Sequence, residues 1–221
     1  PASTRIVSVG FGPCIPSSTT EEDIRMHLRD LAIDTWDMAI KNYRTLVPTW
    51  LVAMRRRRFK PILLDPQGDH VSGFAMIFYV RLFSKVMKKM VRKNSRIGLL
   101  LPSSREGALG LMSILATGKT SVNLNYTSPY DVVTGCIHRT NITHVVTTRS
   151  FLDKLIHKTA AYQQLANHAQ LIFLHDLEKS FPVFKNLYTL FMTIFCPRIL
   201  LEKLWFQVGK ITDPAVILFS A

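Results

Sequence analysis

Apolar and polar positions change rhythm repeatedly along the chain. Thr4 to Val9 (TRIVSV) is rich in β-branched residues and predicts a strand. Gly10, Gly12, Pro13 and Pro16 then interrupt regular structure. Thr19 with Glu22, or Thr20 with Asp23, forms a capping box. Ile24, Leu28, Leu31, Ala32, Trp36, Ala39, Ile40 and Tyr43 follow the helical period, which predicts a long helix ending near Pro48. A short basic helix is expected from Trp50 to Arg58. Asp65-Pro66-Gln67-Gly68-Asp69 is turn chemistry between the apolar triplet Ile62-Leu63-Leu64 and a helix from Phe74 to about Lys93.

Beyond that helix, strand and helix signals alternate. Strands are expected at Ile97–Leu101, Thr120–Leu124, Thr143–Thr148, Leu171–Leu174 and Ala215–Phe219, the first and last as apolar runs buried on both faces. Helices are expected from Arg105 after a Ser104 cap, from Tyr130 with Ser128 as cap and Pro129 at the first position, and from Phe151. Phe184 to Val208 reads as helical with a break at Pro197. This alternation predicts an α/β fold: a partial, doubly wound, mainly parallel sheet with helices on both faces. Ligands of such sheets sit beyond the carboxyl ends of the strands, and Phe219-Ser220-Ala221 forms the last of those ends.

Composition narrows the class. The 221 residues are 48% hydrophobic and carry a net charge of +13, which excludes an acidic disordered tail or a low-complexity chain. Twelve basic residues lie between Arg55 and Arg96 and only Asp65 and Asp69 oppose them, so most of the net charge sits there. Arg55–Lys60 is a solvated run suited to a linker or a helix end. Arg81, Lys85, Lys88 and Arg92 recur on one helical face, with Phe78, Leu82, Val86 and Met90 expected on an inward one. That basic face suits either a wet helix side or docking on anionic lipid. Nucleic acid ranks lower, because the aromatic residues do not interleave with the charges. Cys14, Cys136 and Cys196 are far apart, with no zinc or disulfide pattern, and are expected to be reduced core residues. No signal peptide is evident, and the best apolar run, Leu187–Cys196, is too short for a membrane span.

A search for catalytic motifs finds little. No GxxxxGK[ST] or GxSxG occurs, and Gly10-Phe11-Gly12 lacks the rest of a dinucleotide loop. None of the seven histidines has an aspartate five places later. His175-Asp176 is the one pair in an active-face position, and a strand-end turn is the simpler reading of it. No metal-ligand spacing exists.

Arg96-Ile97-Gly98-Leu99-Leu100-Leu101-Pro102-Ser103-Ser104 resembles the opening strand and turn of the adenylate-forming, or acyl-activating, AMP-binding superfamily. Asn123-Leu124-Asn125-Tyr126-Thr127 and Thr147-Thr148-Arg149-Ser150-Phe151-Leu152-Asp153-Lys154 look like one branch, the bifunctional acyl-acyl carrier protein synthetase/2-acylglycerophosphoethanolamine acyltransferases. Asp213 to Ala221 resembles the strand entering the family's phosphate-binding loop. Residues 6–25 are similar to the tail of a glycerophospholipid acyltransferase domain. Val71-Ser72-Gly73-Phe74 stands where the family usually has a Thr-Tyr pair.

The resemblance implies three segments: residues 1–46 as an acyltransferase tail, 47–61 as a basic linker, and 62–221 as the N-terminal part of an adenylation domain. It implies a parent enzyme that uses ATP and Mg2+ to activate a fatty acid. The acyl group then passes to acyl carrier protein and on to a lysophospholipid. The expected location is cytoplasmic, peripheral to or associated with the cytoplasmic membrane. Pro1 and the apolar run at Ser220–Ala221 read as ends inside a longer protein. No catalytic, cofactor or metal residue of the family carries over. Ser220 and Ala221 are placed only beside the phosphate loop, and the chain by itself is expected to be inert. The alternative is a non-catalytic basic module that docks on anionic membrane or acyl carrier protein through Arg81, Lys85, Lys88 and Arg92.

Overall fold

The computed structural model describes residues 9–40, 43–64, 70–91, 96–179, 183–207 and 209–219. It divides into two compact units, Pro1–Arg44 and Thr45–Ala221.

The described part of the first unit is built on α1 (Glu21–Ile40). Of the two possible caps, Thr20 is the one used: its Oγ1 accepts from Asp23 N at 3.3 Å and donates to the Asp23 carboxylate at 2.6 Å. Acidic residues Glu21, Glu22 and Asp23 complement the helix dipole. None of the α1 side chains is buried, although the stripe from Leu28 to Ala39 borders a shallow groove with Val9 and Gly10. The strand expected over Thr4–Val9 lies almost wholly outside the described residues.

In the second unit, α2 (Leu46–Arg56) buries Val47, Pro48 and Leu51. Pro48 therefore sits in the first turn of a new helix instead of ending the preceding one, a position where its missing N–H costs nothing. Arg55 and Arg56 form the last turn, so the helix-end reading of the basic run holds for them. The hairpin of β1 (Pro61–Leu64) and β2 (His70–Ser72) is antiparallel. Its expected turn, 65–69, is outside the described residues.

α3 (Gly73–Met90) starts where Ser72 Oγ accepts from Ala75 N at 3.2 Å. Its buried stripe is Met76, Val80, Phe83 and Met87, with Leu82 beside it. Phe78 and Val86 are only half-buried and Met90 is exposed, so the inward face is rotated from the expected one. The helical period alone is satisfied by either stripe, and the contacts of α3 with α2 and with the helices that follow it select between them.

The remaining elements alternate: β3 (Arg96–Leu99), α4 (Arg105–Leu115), β4 (Thr120–Asn123), α5 (Tyr130–Arg139), β5 (His144–Thr147), α6 (Arg149–Lys158), a 3-10 segment (Ala160–Asn167), β6 (Gln170–Phe173), α7 (Leu174–Lys179), α8 (Val183–Phe195), α9 (Arg198–Trp205) and β7 (Val216–Leu218). The five-stranded sheet has the order β6-β5-β3-β4-β7, and every pairing in it is parallel. Successive residues point to opposite faces. Leu99 and Leu101 join a core with α2, α3, α4 and α9, while Leu100, Val122 and Val145 join a second core with α5 and α6. The doubly wound α/β architecture expected from the alternation is thus present.

Three local expectations change. Pro129, with ψ 149, is itself the cap position of α5, and Ser128 lies one residue outside. β7 is not a buried strand: Leu218 is 70% exposed, because among the described residues the strand pairs only with β4. Of the cysteines, Cys196 is buried but Cys136 is half-buried and Cys14 is exposed. Cys14 lies in the loop before α1, where no core forms, and burial raises the Cys136 thiol above its ordinary pKa.

Candidate functional site

Parallel pairing brings the carboxyl ends of the strands to one edge. β3 continues into α4 on one face of the sheet, and β5 continues into α6 on the other. The crevice between the ends of β3 and β5 is therefore the topological switch point, where ligands of such sheets bind.

The residues around that crevice are held closely. Thr147 Oγ1 donates to Leu100 O at 2.9 Å, joining the two strands beyond their ladder. Ser104 Oγ accepts from Gly107 N at 3.2 Å and donates to Glu106 Oε2 at 3.0 Å, which caps α4. A Cβ on Gly107 would stand 2.2 Å from Pro102 O, so the turn and the helix meet only because that residue is glycine. Beyond β4, Asn125 Oδ1 accepts from Thr127 N at 3.0 Å and from Thr127 Oγ1 at 2.7 Å, a local Asx turn. Tyr126 meets Phe151 edge-on, with centroids 5.2 Å apart. Thr148 Oγ1 accepts from Phe151 N at 3.3 Å and caps α6.

Asp176 is engaged by Arg149. Asp176 accepts two bonds from Arg149, at 2.6 and 3.4 Å, and Arg149 also lies 4.4 Å over the Phe173 ring. The hydrogen bond and charge of Asp176 raise the Arg149 pKa. His175 and Asp176 lie in the first turn of α7, directly after β6, so a helix and not a turn closes the strand.

Two cavities open near the strand ends. One, of about 510 Å³, is lined by Leu63, Leu101, Ser103, Ser104, Arg105 and Asn123 among others. The other, of about 280 Å³, gathers His70, Tyr79, Arg105, Glu106 and His175 against apolar walls from Val71, Phe83 and Leu174. Sequence reading missed the second cluster. Its members come from β2, α3, α4 and α7, and no local spacing connects them.

Thr147, Thr148 and Arg149 are engaged within the protein, and among the described residues no group of three metal-ligating side chains exists. Ser220 and Ala221 lie outside the described residues. β7 runs parallel to β4, so its carboxyl end emerges at the same edge as the switch-point crevice.

Of the four residues expected on a basic docking face, Lys85 and Lys88 are exposed and Arg92 is outside the described residues. Arg81 turns inward instead. It donates to Trp205 O at 2.8 Å and lies 5.1 Å from the Trp205 ring, where burial lowers its pKa against a raising influence from Tyr188. The half-buried Arg81 is therefore a clamp between α3 and α9, not part of a solvated face.

No family model matches the chain. Among solved structures it is similar to VinN in complex with 3-methylaspartate, with a TM-score of 0.58 at 15% identity over 81% of this chain and 45% of that one. It is also similar to the nonribosomal peptide synthetase FmoA3 in an AMPPNP-bound form, with a TM-score of 0.53 at 15% identity over 63% of this chain and 14% of that one. A benzoate CoA ligase from Burkholderia xenovorans gives a TM-score of 0.51 at 15% identity, over 61% of this chain and 28% of that one. The chain thus shares the fold of part of each of these proteins and spans less than half the length of each.

Proposed function

We propose that this chain is a portion of an enzyme that activates a fatty acid with ATP. The observation that carries the reading is the gathering of the β3, β4, β5 and β7 ends at one switch-point edge, in a fold shared with CoA ligases and nonribosomal peptide synthetases. The LNYT and TTRSFLDK segments, whose resemblance is to a fatty-acid-activating branch, flank that edge after β4 and β5. In this reading a carboxylate attacks the α-phosphorus of ATP and pyrophosphate leaves. The acyl-adenylate provides the leaving group that a free carboxylate lacks. Acyl carrier protein takes the acyl group as a thioester, and a lysophospholipid hydroxyl accepts it from there. The described residues build the wall of the site, and the reacting groups belong to the remainder of the enzyme. Residues 1–46 are proposed as the tail of the acyltransferase module, and peripheral membrane attachment as the location.

The test is ATP–pyrophosphate exchange. The 221-residue chain alone is expected to give none. A version extended along its reading frame, into a segment of the type Gly-Ser-x-Gly-x-Pro-Lys, is expected to exchange with fatty acids. Exchange with amino or aryl acids but not fatty acids would overturn the substrate class. Failure with every acid, or a stop codon directly after Ala221, would favour the non-catalytic module, which the exposed Lys85 and Lys88 support.

A further inference from the structure

We propose that the outward face of α8 and α9 seats the protein on an anionic lipid bilayer, with both helices lying in the plane of the interface. From Leu187 to Cys196 the chain has no charged residue. Leu187, Tyr188, Phe191 and Phe195 nevertheless face outward, with Phe191 57% and Phe195 67% exposed. On α9, Ile199 and Leu204 are exposed as well, at 61% and 57%. Thr189, Thr193, Cys196, Leu201 and Trp205 occupy the buried side of the same two helices. Single exposed hydrophobic residues are ordinary, but six on two consecutive helices, four of them in one stripe of α8, point to an interaction surface. The Phe191 and Phe195 rings lie 4.8 Å apart.

Charge selects the occupant. Arg55 donates to Cys196 O at 2.6 Å, which anchors the basic end of α2 at the corner between α8 and α9. Arg81 donates to Trp205 O and α3 packs against α8, so the exposed Lys85 and Lys88 lie on a helix that borders the same two helices. Lys203 is exposed on α9, and Glu202 is the only acid between Leu187 and Trp205. A second copy would bring another chain of +13 to this strongly basic surround. An anionic bilayer suits both features: acyl chains take the aromatic and aliphatic side chains, and headgroups meet the cations. α8 has 13 residues and is therefore about 20 Å long, short of the roughly 30 Å hydrocarbon core. Among the described residues no helix is long and apolar enough to cross a membrane, which fits helices lying flat.

The inference deepens the peripheral membrane attachment proposed above by naming its surface, and it does not depend on the adenylation reading. The full chain is co-sedimented with phosphatidylcholine vesicles, with and without phosphatidylglycerol, at physiological salt. Binding is expected with phosphatidylglycerol and weak without it. The double variant Phe191→Gln, Phe195→Gln is expected to reduce binding on the order of 100-fold. Both side chains are more than half exposed, and an unchanged unfolding midpoint checks that the fold survives. A second variant, Phe195→Trp, is expected to add blue-shifted emission on vesicle addition, quenched by brominated acyl chains. Unaltered binding by the double variant, or emission at position 195 that stays solvent-like, would overturn the proposal. So would a dimer that the double variant dissociates while the parent chain ignores vesicles. Pyrophosphate exchange reports separately on the adenylation reading, so either idea can fail alone.

Discussion

Two residues, at opposite ends of the strands, show how closely the sheet is fitted. Gly107 meets the Pro102 carbonyl where a methyl group would collide with backbone, which has no rotamer to yield. Gly107→Ala is expected to destabilise the α/β unit by about 1–3 kcal/mol, read from urea unfolding. His144 gives a pH signature. Burial lowers its pKa below the ordinary 6.5, aided by Lys119 and opposed by a hydrogen bond with Gln170. The unfolded chain therefore binds the proton more readily, and stability is lost as pH falls from 6.5 toward the lower folded value. The unfolding midpoint of His144→Gln, followed from about pH 7.5 to about pH 5.5, is expected to fall less steeply than that of the parent chain. Neither residue carries a readable sequence motif. Gly107 looks like any helical glycine until the preceding turn is placed over it.

At the scale of elements, much was legible. The β3–α4–β4–α5–β5–α6–β6 succession follows from short apolar runs separated by capped amphipathic stretches, and the boundaries agree within a few residues. Sequence pattern did not settle rotation about the α3 axis, since the Phe78–Leu82–Val86 stripe and the Met76–Val80–Phe83–Met87 stripe share one period. Nor did it reveal Arg81 as a clamp, because its partner Trp205 lies 124 residues away. The short strand β2 was also hidden, since three residues are too few to show a period. α2 is a further case: its basic end resembles a linker, yet Leu51 is wholly buried. Leu51→Ala is expected to cost about 2–5 kcal/mol, against almost nothing for a solvated linker residue, by the same unfolding measurement.

For the whole molecule, the division after Arg44 has a direct consequence. A chain beginning at Thr45 is expected to unfold cooperatively with a stability within about 0.5 kcal/mol of the parent's α/β unit, measured by the near-ultraviolet signal of its own tryptophans. A broad transition would show that residues 1–44 contribute to that core. The candidate site was legible as a location and not as a set of groups. The strand-end rule places it, whereas the cluster of His70, Arg105, Glu106 and His175 depends on four elements meeting in space.

Strand β7 occupies the flank of one made long before it. Thr120 donates to Pro214 O across 94 residues of sequence, and Val122 lies in register with Ile217. During synthesis β3, β4, β5 and β6 can assemble from neighbouring stretches while the outer rim of β4 waits for its mate. At a translation speed of about 5–20 residues per second that interval lasts several seconds, long enough for a chaperone to shield the rim or for a stray strand to zip onto it. Productive maturation of this protein therefore depends on keeping that seat vacant until β7 leaves the ribosome.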